Sequence, residues 1–459
     1  MPTNEQVAPT SYVFIVGLAF CLTFGSYFAV SNQLTSILGQ QGFFVLSIIQ
    51  ATFLIGTFFG QLVQDVLGDR KMFMLGACGF ALFAFVLSLS IDNASAKMAL
   101  YPVSMATGVF ASWMWCAQGT YISGLFSAAE QGGGFGKFNS IFSFNGIWAF
   151  TLLLILSESG VPLQSIMWIF FVGSVLACLS FSFVPEWPPR KLENHIEQAT
   201  TATPPIKKKS LMQQITAVGK MFRERDMLLQ APLAFWGGNT EGMYWSTIAA
   251  QYNSTSLIAG CFLTQSIVAL LASFTLGKLS DTSCGRYAVI CICMMASIVT
   301  NIATGIGCGM DRSVPPLFNH SITNITHIAH TNEDNETTRT MLLIIGVIGF
   351  GISDFPAQAI MRAQYFSIWS HDSEKLESAM PHMLCCLMTG TLVAVLYGGF
   401  VDIWVSIGIN TFLAALSIVC QFFLPLHVNR YGHTNPQETR KVLNVATKPS
   451  DEKTVVLQL

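Results

Sequence analysis

The chain has 459 residues, of which 52% are hydrophobic and only 10% charged, and its net charge is −2. Soluble proteins carry about 25% charged residues, so these are too few to cover the roughly three soluble domains that this length would make. The composition excludes such a set of domains, gives no basis for binding nucleic acid, and leaves a polytopic membrane protein.

Residues 1–11 contain no Lys or Arg, and the apolar run from Tyr12 to Leu38 is too long for the core of a cleaved signal. It reads as the first span. About 20 mostly apolar residues cross about 30 Å of hydrocarbon. By that measure twelve helices are predicted, over residues 12–38, 43–67, 72–91, 98–123, 137–157, 164–184, 227–250, 256–279, 287–306, 341–366, 376–399 and 403–425. The fold class is all-α integral membrane, with an N-terminal six-helix bundle (12–184) and a C-terminal one (227–426). Segment 185–226 holds Pro188, Pro189 and Lys207 to Lys209 and reads as a cytosolic linker, and 427–459 as a cytosolic tail.

Two features orient the chain. With residues 1–11 in the cytosol, only Lys97, Arg312 and Arg339 of the 23 Lys and Arg fall on outer loops, as the positive-inside rule requires. The glycosylation sequons at Asn93, Asn253, Asn319, Asn324 and Asn335 also all fall on outer loops. His320, His327 and His330 sit in the one long outer loop, without the cysteine or carboxylate spacing of a metal site. The 12 cysteines lie mostly inside apolar runs, which favours packing over a disulfide framework or a zinc site. Gly132 to Gly134 precede no Lys-Ser or Lys-Thr, so they read as a turn and not as a phosphate loop. There is no nucleophile elbow or metal-protease helix, so no enzyme activity, metal or cofactor is expected.

A pattern repeats between the halves. Gly60, Asp65, Gly68 and Arg70 join the second and third helices, and Gly277, Asp281, Gly285 and Arg286 join the eighth and ninth. Glycine permits close helix approach, and the acid can accept bonds from helix N-termini and cations. Helix four carries Ala117-Gln118 and helix ten Ala357-Gln358, a second repeat at equivalent positions. The first pattern resembles the inter-helix loop signature of the major facilitator superfamily, with a one-residue departure in each copy. The strings WCAQGTY (Trp115 to Tyr121), FGKFNSIFSFNG (Phe135 to Gly146) and GNTEGMYW (Gly238 to Trp245) look like the uncoordinated-ninety-three-like branch of it. So does the opening helix, with Tyr27 and Ser31 to Leu34. The resemblance implies that helices one, four, seven and ten line a central cavity. Branch members include a potassium-channel regulatory protein, a trafficking chaperone for Toll-like receptors and orphan transporter-like proteins.

The expected cavity helices carry Asn32, Gln118, Asn239, Glu241, Asp354 and Gln358. A carboxylate in hydrocarbon is costly, so Glu241 and Asp354 are candidates to carry a proton between faces. Arg362 lies eight residues past Asp354, about 12 Å along the axis, and is expected to reach for the cytosolic edge instead. Gln118 and Gln358 bind solute or bridge helices, and bridging is the commoner use. Gly56 and Gly60 have the spacing of a dimer contact or of packing within the bundle. Two functions follow: a regulator or escort of a partner ion channel or receptor, which the resemblance favours, or a proton-coupled transporter of a small-molecule substrate. Both place the chain in a lipid bilayer.

Overall fold

The computed structural model describes residues 10–91, 93–126, 131–186, 211–248, 255–280, 285–309, 333–369, 373–398 and 403–424. All regular structure among them is helical. The first half holds α1 (Thr10–Ser31), α2 (Gln40–Thr57, continued by Gly60–Leu67), α3 (Asp69–Ser90), α4 (Ala94–Leu125), α5 (Gln131–Glu158) and α6 (Leu163–Ser180). The second holds α7 (Arg225–Gly242), α8 (Thr255–Ser280), α9 (Gly285–Gly309), α10 (Glu333–Ile368), α11 (Ser373–Gly398) and α12 (Ile403–Phe422).

Ten of these helices are long and apolar enough to cross a membrane. The exceptions are α4 and α7, two of the helices expected to line the cavity. From Trp236 to Gly242 every residue of α7 is buried in protein, so its polar groups meet other helices and not lipid. Hydropathy measures fitness for lipid, and an enclosed helix does not need it.

The packing repeats. In the first half α3 packs on α4 and α6, α2 on α4, and α1 on α5 and α6. In the second, α9 packs on α10 and α12, α8 on α10, and α7 on α11 and α12. Adding six to each helix number converts one set into the other. Contacts between the halves obey the same operation: α5 against α8 matches α11 against α2, and α5 against α10 matches α11 against α4. The two halves are related by a pseudo-two-fold.

Side chains fill the two frames differently. In the first half Phe20 is surrounded by Phe24, Phe73, Trp115, Phe138 and Phe181, with ring centroids 5.4 to 5.9 Å away. In the second, amides link the helices. Asn410 of α12 accepts from Asn239 (3.3 Å) and Thr240 (2.8 Å) of α7 and donates to Asn301 of α9 (3.2 Å). Gln230, Gln364 and Gln421 continue the theme across α7, α10 and α12. Where α7 crosses α11, a Cβ on Gly238 would stand 1.7 Å from the Leu387 carbonyl oxygen. Only glycine permits that approach.

Several local expectations change. The first run breaks after Ser31, and a short helix, Leu34–Leu38, follows before Gly39 turns the chain at φ +54°. The start of α10 extends into the expected outer loop, and Gly132 to Gly134 belong to α5 and not to a turn. The linker contains a helix, Leu211–Met221, whose Gln214, Val218 and Met221 are buried as it packs on α11. Cβ atoms on Gly56 and Gly60 would meet Ser112 and Cys116 of α4, so this pair serves packing within the half.

Candidate functional site

Between the halves lies an open cavity of about 710 Å³, a volume that includes the solvent space at its mouth. The first half contributes mostly aromatic rings to its wall, including Phe24, Tyr27, Phe28, Phe53, Trp115 and Phe142, with Gln50 as a polar exception. The second contributes Glu241, Gln358 and Arg362, together with Trp245 and Phe355. Phe28 of α1 meets Trp245 of α7 with centroids 4.8 Å apart, and Phe142 of α5 faces Phe355 of α10 at 6.1 Å. Aromatic contacts thus span the gap between the halves.

The polar wall is organised by one amide. Gln358 Nε2 donates to Asp354 Oδ1 (2.9 Å), one turn back on α10, and to Glu241 Oε1 on α7. An amide nitrogen has two hydrogens, and here each carboxyl group receives one. On its other side Gln358 Oε1 accepts from Arg362 Nη2 at 3.3 Å. Arg362 Nη1 donates to Asn139 Oδ1 of α5 at 3.2 Å, and the guanidinium lies over the Trp115 ring, 4.9 Å from its centroid. The chain therefore runs from two acids, through an amide and a guanidinium, into the other half.

Arg362 does not reach the membrane edge: it is 3% exposed. Side chains on a helix tilt toward its N-terminus, and the long arginine stem follows that tilt back to Gln358. The spacing 354, 358, 362 carried this signal, because residues four apart share a helix face. The sequence offered no comparable sign for Asn139, which anchors the chain in the first half.

Glu241 lines the cavity, whereas Asp354 is fully buried behind Gln358, and its Oδ2 has no hydrogen-bond partner. Asn239 is not a cavity residue. Its amide is committed to Asn410 and to the Tyr397 hydroxyl (2.7 Å), because it points from α7 into its own half. Asn32 lines a smaller cleft beside the main one, which shares Tyr27, Gln50 and Trp245 with it. Gln118 is fully buried outside the cavity wall, and neither atom of its amide has a hydrogen-bond partner.

The backbone around the acids is irregular. After Glu241, α7 widens into a π-helical turn, Met243–Ile248. On α10, Pro356 lies between Asp354 and Gln358 and supplies no N–H for the Ile352 carbonyl. The Cys293 thiol of α9 donates to that carbonyl instead, at 3.7 Å.

A sequence model of the family described as Major Facilitator Superfamily matches residues 12–366, from α1 through nearly all of α10. The chain belongs to the major facilitator superfamily. It is also 23% identical over 293 residues to UNC93-like protein 3 of Arabidopsis thaliana, a match covering 59% of this chain. The match spans 61% of that relative's length, less than two thirds. This likeness supports the uncoordinated-ninety-three-like branch of the superfamily. Superfamily and relative point to transport or regulation more than to catalysis.

The superfamily loop pattern is only partly assembled as expected. Gly68 takes φ +75°, which suits the tight turn into α3. Asp65 is exposed and is held only by Gln61 of its own helix. The acid that ties the turn down is Asp69, which accepts from Gln64, and Gln64 also donates to Thr120 of α4. The one-residue departure places the amide of Gln64 inward and Asp65 outward. Arg70 pairs with Glu186 at 2.6 Å, beyond the end of α6. In the second copy Gly285 takes φ +61°, and buried Arg286 donates to the Ala363 carbonyl of α10 at 3.3 Å. A Cβ on Gly277 would meet no neighbour within 4 Å, so no close packing requires glycine there. Asp281 lies outside the described residues.

Among the sequons, Asn93 is exposed and caps α4, accepting from the backbone N–H of Ser95 at 2.9 Å. Asn335 falls in the first turn of α10. Asn253, Asn319 and Asn324 lie outside the described residues, as do the loop histidines and Lys207 to Lys209.

Proposed function

We propose that this chain is a secondary active transporter of a small solute, with Glu241 and Asp354 carrying the coupling proton. One observation carries the reading: a cavity between pseudo-symmetric halves is lined by a buried acid, Glu241, which a single amide bridges to a second, Asp354, behind the wall. Buried acids are costly unless used, and a proton that comes and goes from such a pair changes the bonding of Gln358. Gln358 is linked through Arg362 to Asn139 of the other half, so that change reaches the interface along which the halves would rock. The loops at Gly68 and Gly285 stand at the matching end of each half and are proposed as its gates.

The topology proposed with this function places the linker, residues 1–11 and the 427–459 tail in the cytosol. Residues 12–184 and 227–426 are the two moving units. Glycans at Asn93, Asn253, Asn319, Asn324 or Asn335 would mark the outer face, and digestion with an endoglycosidase would then lower the apparent mass. No shift, together with cytosolic labelling of the 307–340 loop, would reverse the orientation.

The other reading, regulation of a partner channel or receptor, is supported by the branch resemblance, whereas the cavity supports transport. Solute or proton flux in reconstituted vesicles separates them. Flux in the wild type that disappears in Glu241→Gln or Asp354→Asn supports transport. Absence of flux, with a channel or receptor crosslinked to the chain in native membranes, supports regulation.

A further inference from the structure

We propose that the cavity takes a monovalent organic cation with an aromatic or apolar body and exchanges it for one proton; this rests on the transport reading above. The first ground is a count of charges. Among the described residues, Glu241 from α7 and Asp354 and Arg362 from α10 are the charged side chains at the site. The other helices around it present Tyr27 (α1), Gln50 (α2), Trp115 (α4), Asn139 (α5), the Cys293 thiol (α9) and Leu384, Leu387 and Met388 (α11). None of these carries a formal charge at neutral pH. Fully ionised, the site holds one net negative charge in a water-poor interior. One proton or one monovalent cation cancels it.

The second ground is the shape and chemistry of the wall. Phe24, Phe28, Trp115, Phe142, Trp245 and Phe355 line the same cavity as Glu241. Ring faces attract cations, most strongly where water is excluded, and they stack on flat apolar bodies. The same wall is poorly built for an anion. Its one guanidinium is already stacked on Trp115 and donates to Gln358 and Asn139. A bound anion would raise the net charge to two negatives. The third ground is the buried Asp354 Oδ2, which has no hydrogen-bond partner and is a place for the exchanged proton.

The cycle balances. A cation entering from one side displaces one proton from the carboxyl pair to that side. After the cation leaves on the other side, one proton from that side takes its place. No bond but the O–H is made or broken, and no net charge crosses the membrane. The exchange is therefore driven by a proton gradient and is indifferent to membrane potential.

The test uses the full chain in proteoliposomes with an acidic lumen and three probes: N-methyl-4-phenylpyridinium, benzenesulfonate and zwitterionic tryptophan. The expected result is uptake of the pyridinium alone, with one proton released per cation and no response to a potassium diffusion potential. Trp245→Leu, which spares the ring that carries Arg362, should raise the half-saturating concentration about thirtyfold, the size of a desolvated cation–π contact, while keeping one proton per cation. Glu241→Gln should lose uptake. Preference for benzenesulfonate or tryptophan, or cation uptake driven by potential with no proton movement, overturns the inference and leaves transport standing. No flux of any probe through protein that still melts cooperatively overturns the inference, and a channel or receptor crosslinked to the chain in native membranes would then overturn the transport reading as well. Wild-type selectivity alone decides between these outcomes, so a variant that fails to fold does not obscure them.

Discussion

The two halves share a packing plan and almost nothing of their interiors. The first half is held by rings around Phe20, and the second by amide chains through Asn410 and Gln364. Rings pack without choosing a donor or an acceptor. Amides must choose, and so must the acids beside them. In a membrane, where apolar surface gains little by leaving lipid, helices associate through close packing and interhelical hydrogen bonds. The first half uses mainly the former and the second adds the latter. One frame thus holds a wall of packed rings against a wall of hydrogen-bonded polar groups, whose bonding changes with a proton in the proposed cycle.

This asymmetry can be broken at several points. The largest effect belongs to Gly238→Leu, which drives a side chain into the α11 backbone. Size-exclusion chromatography should show no monodisperse protein. Gly17→Ala, whose added carbon would meet only the Ile141 side chain at 3.0 Å, should still fold. Next comes Glu241→Gln or Asp354→Asn, which should reduce proton-driven flux to background with an unchanged elution profile. Loss of folding in both would instead make the acids structural.

Smaller effects sharpen the contrast. Phe20→Ala empties the centre of the ring cluster and should cost about 3 kcal/mol. Asn410→Leu removes three interhelical bonds and should cost about 1–2 kcal/mol, since such bonds in membranes are individually weak. Thermal melts in detergent would rank the two, and the reverse order would mean that amides, not rings, carry the stability. Arg70→Ala should be smallest, within about 0.5 kcal/mol, because its pair with Glu186 is solvent-exposed and screened. A larger loss would restore that loop as a latch.

Helix number and the six-plus-six repeat were legible because apolar length and polar interruptions state them directly. The two helices that fail on hydropathy, α4 and α7, were still found because each offers a run of about 20 mostly apolar residues. What the sequence hid was direction. Asn239 and Glu241 are two residues apart on one helix, yet one faces its own half and the other the cavity. Polarity identifies an interior group without saying which interior. Arg362 was misplaced because reach was measured along the axis, whereas its side chain leans back toward Gln358. Gln64 took the inward place expected of Asp65 because a one-residue departure rotates a helix position by about 100°.

The thiol contact to the Ile352 carbonyl gives α10 a mechanical character of its own. Proline has removed one rung of the helix, and a neighbouring helix lends a weak substitute. Asp354 stands on one side of that missing rung, and Gln358 and Arg362 on the other. A few degrees of bending at Pro356 would lengthen or shorten the bridge between the acids and the guanidinium, with neither half moving as a body. A bulky thiol reagent on Cys293 would then act as a wedge at a pivot. Asp354 and Arg362 would be two arms of one lever, with the proline where it would turn.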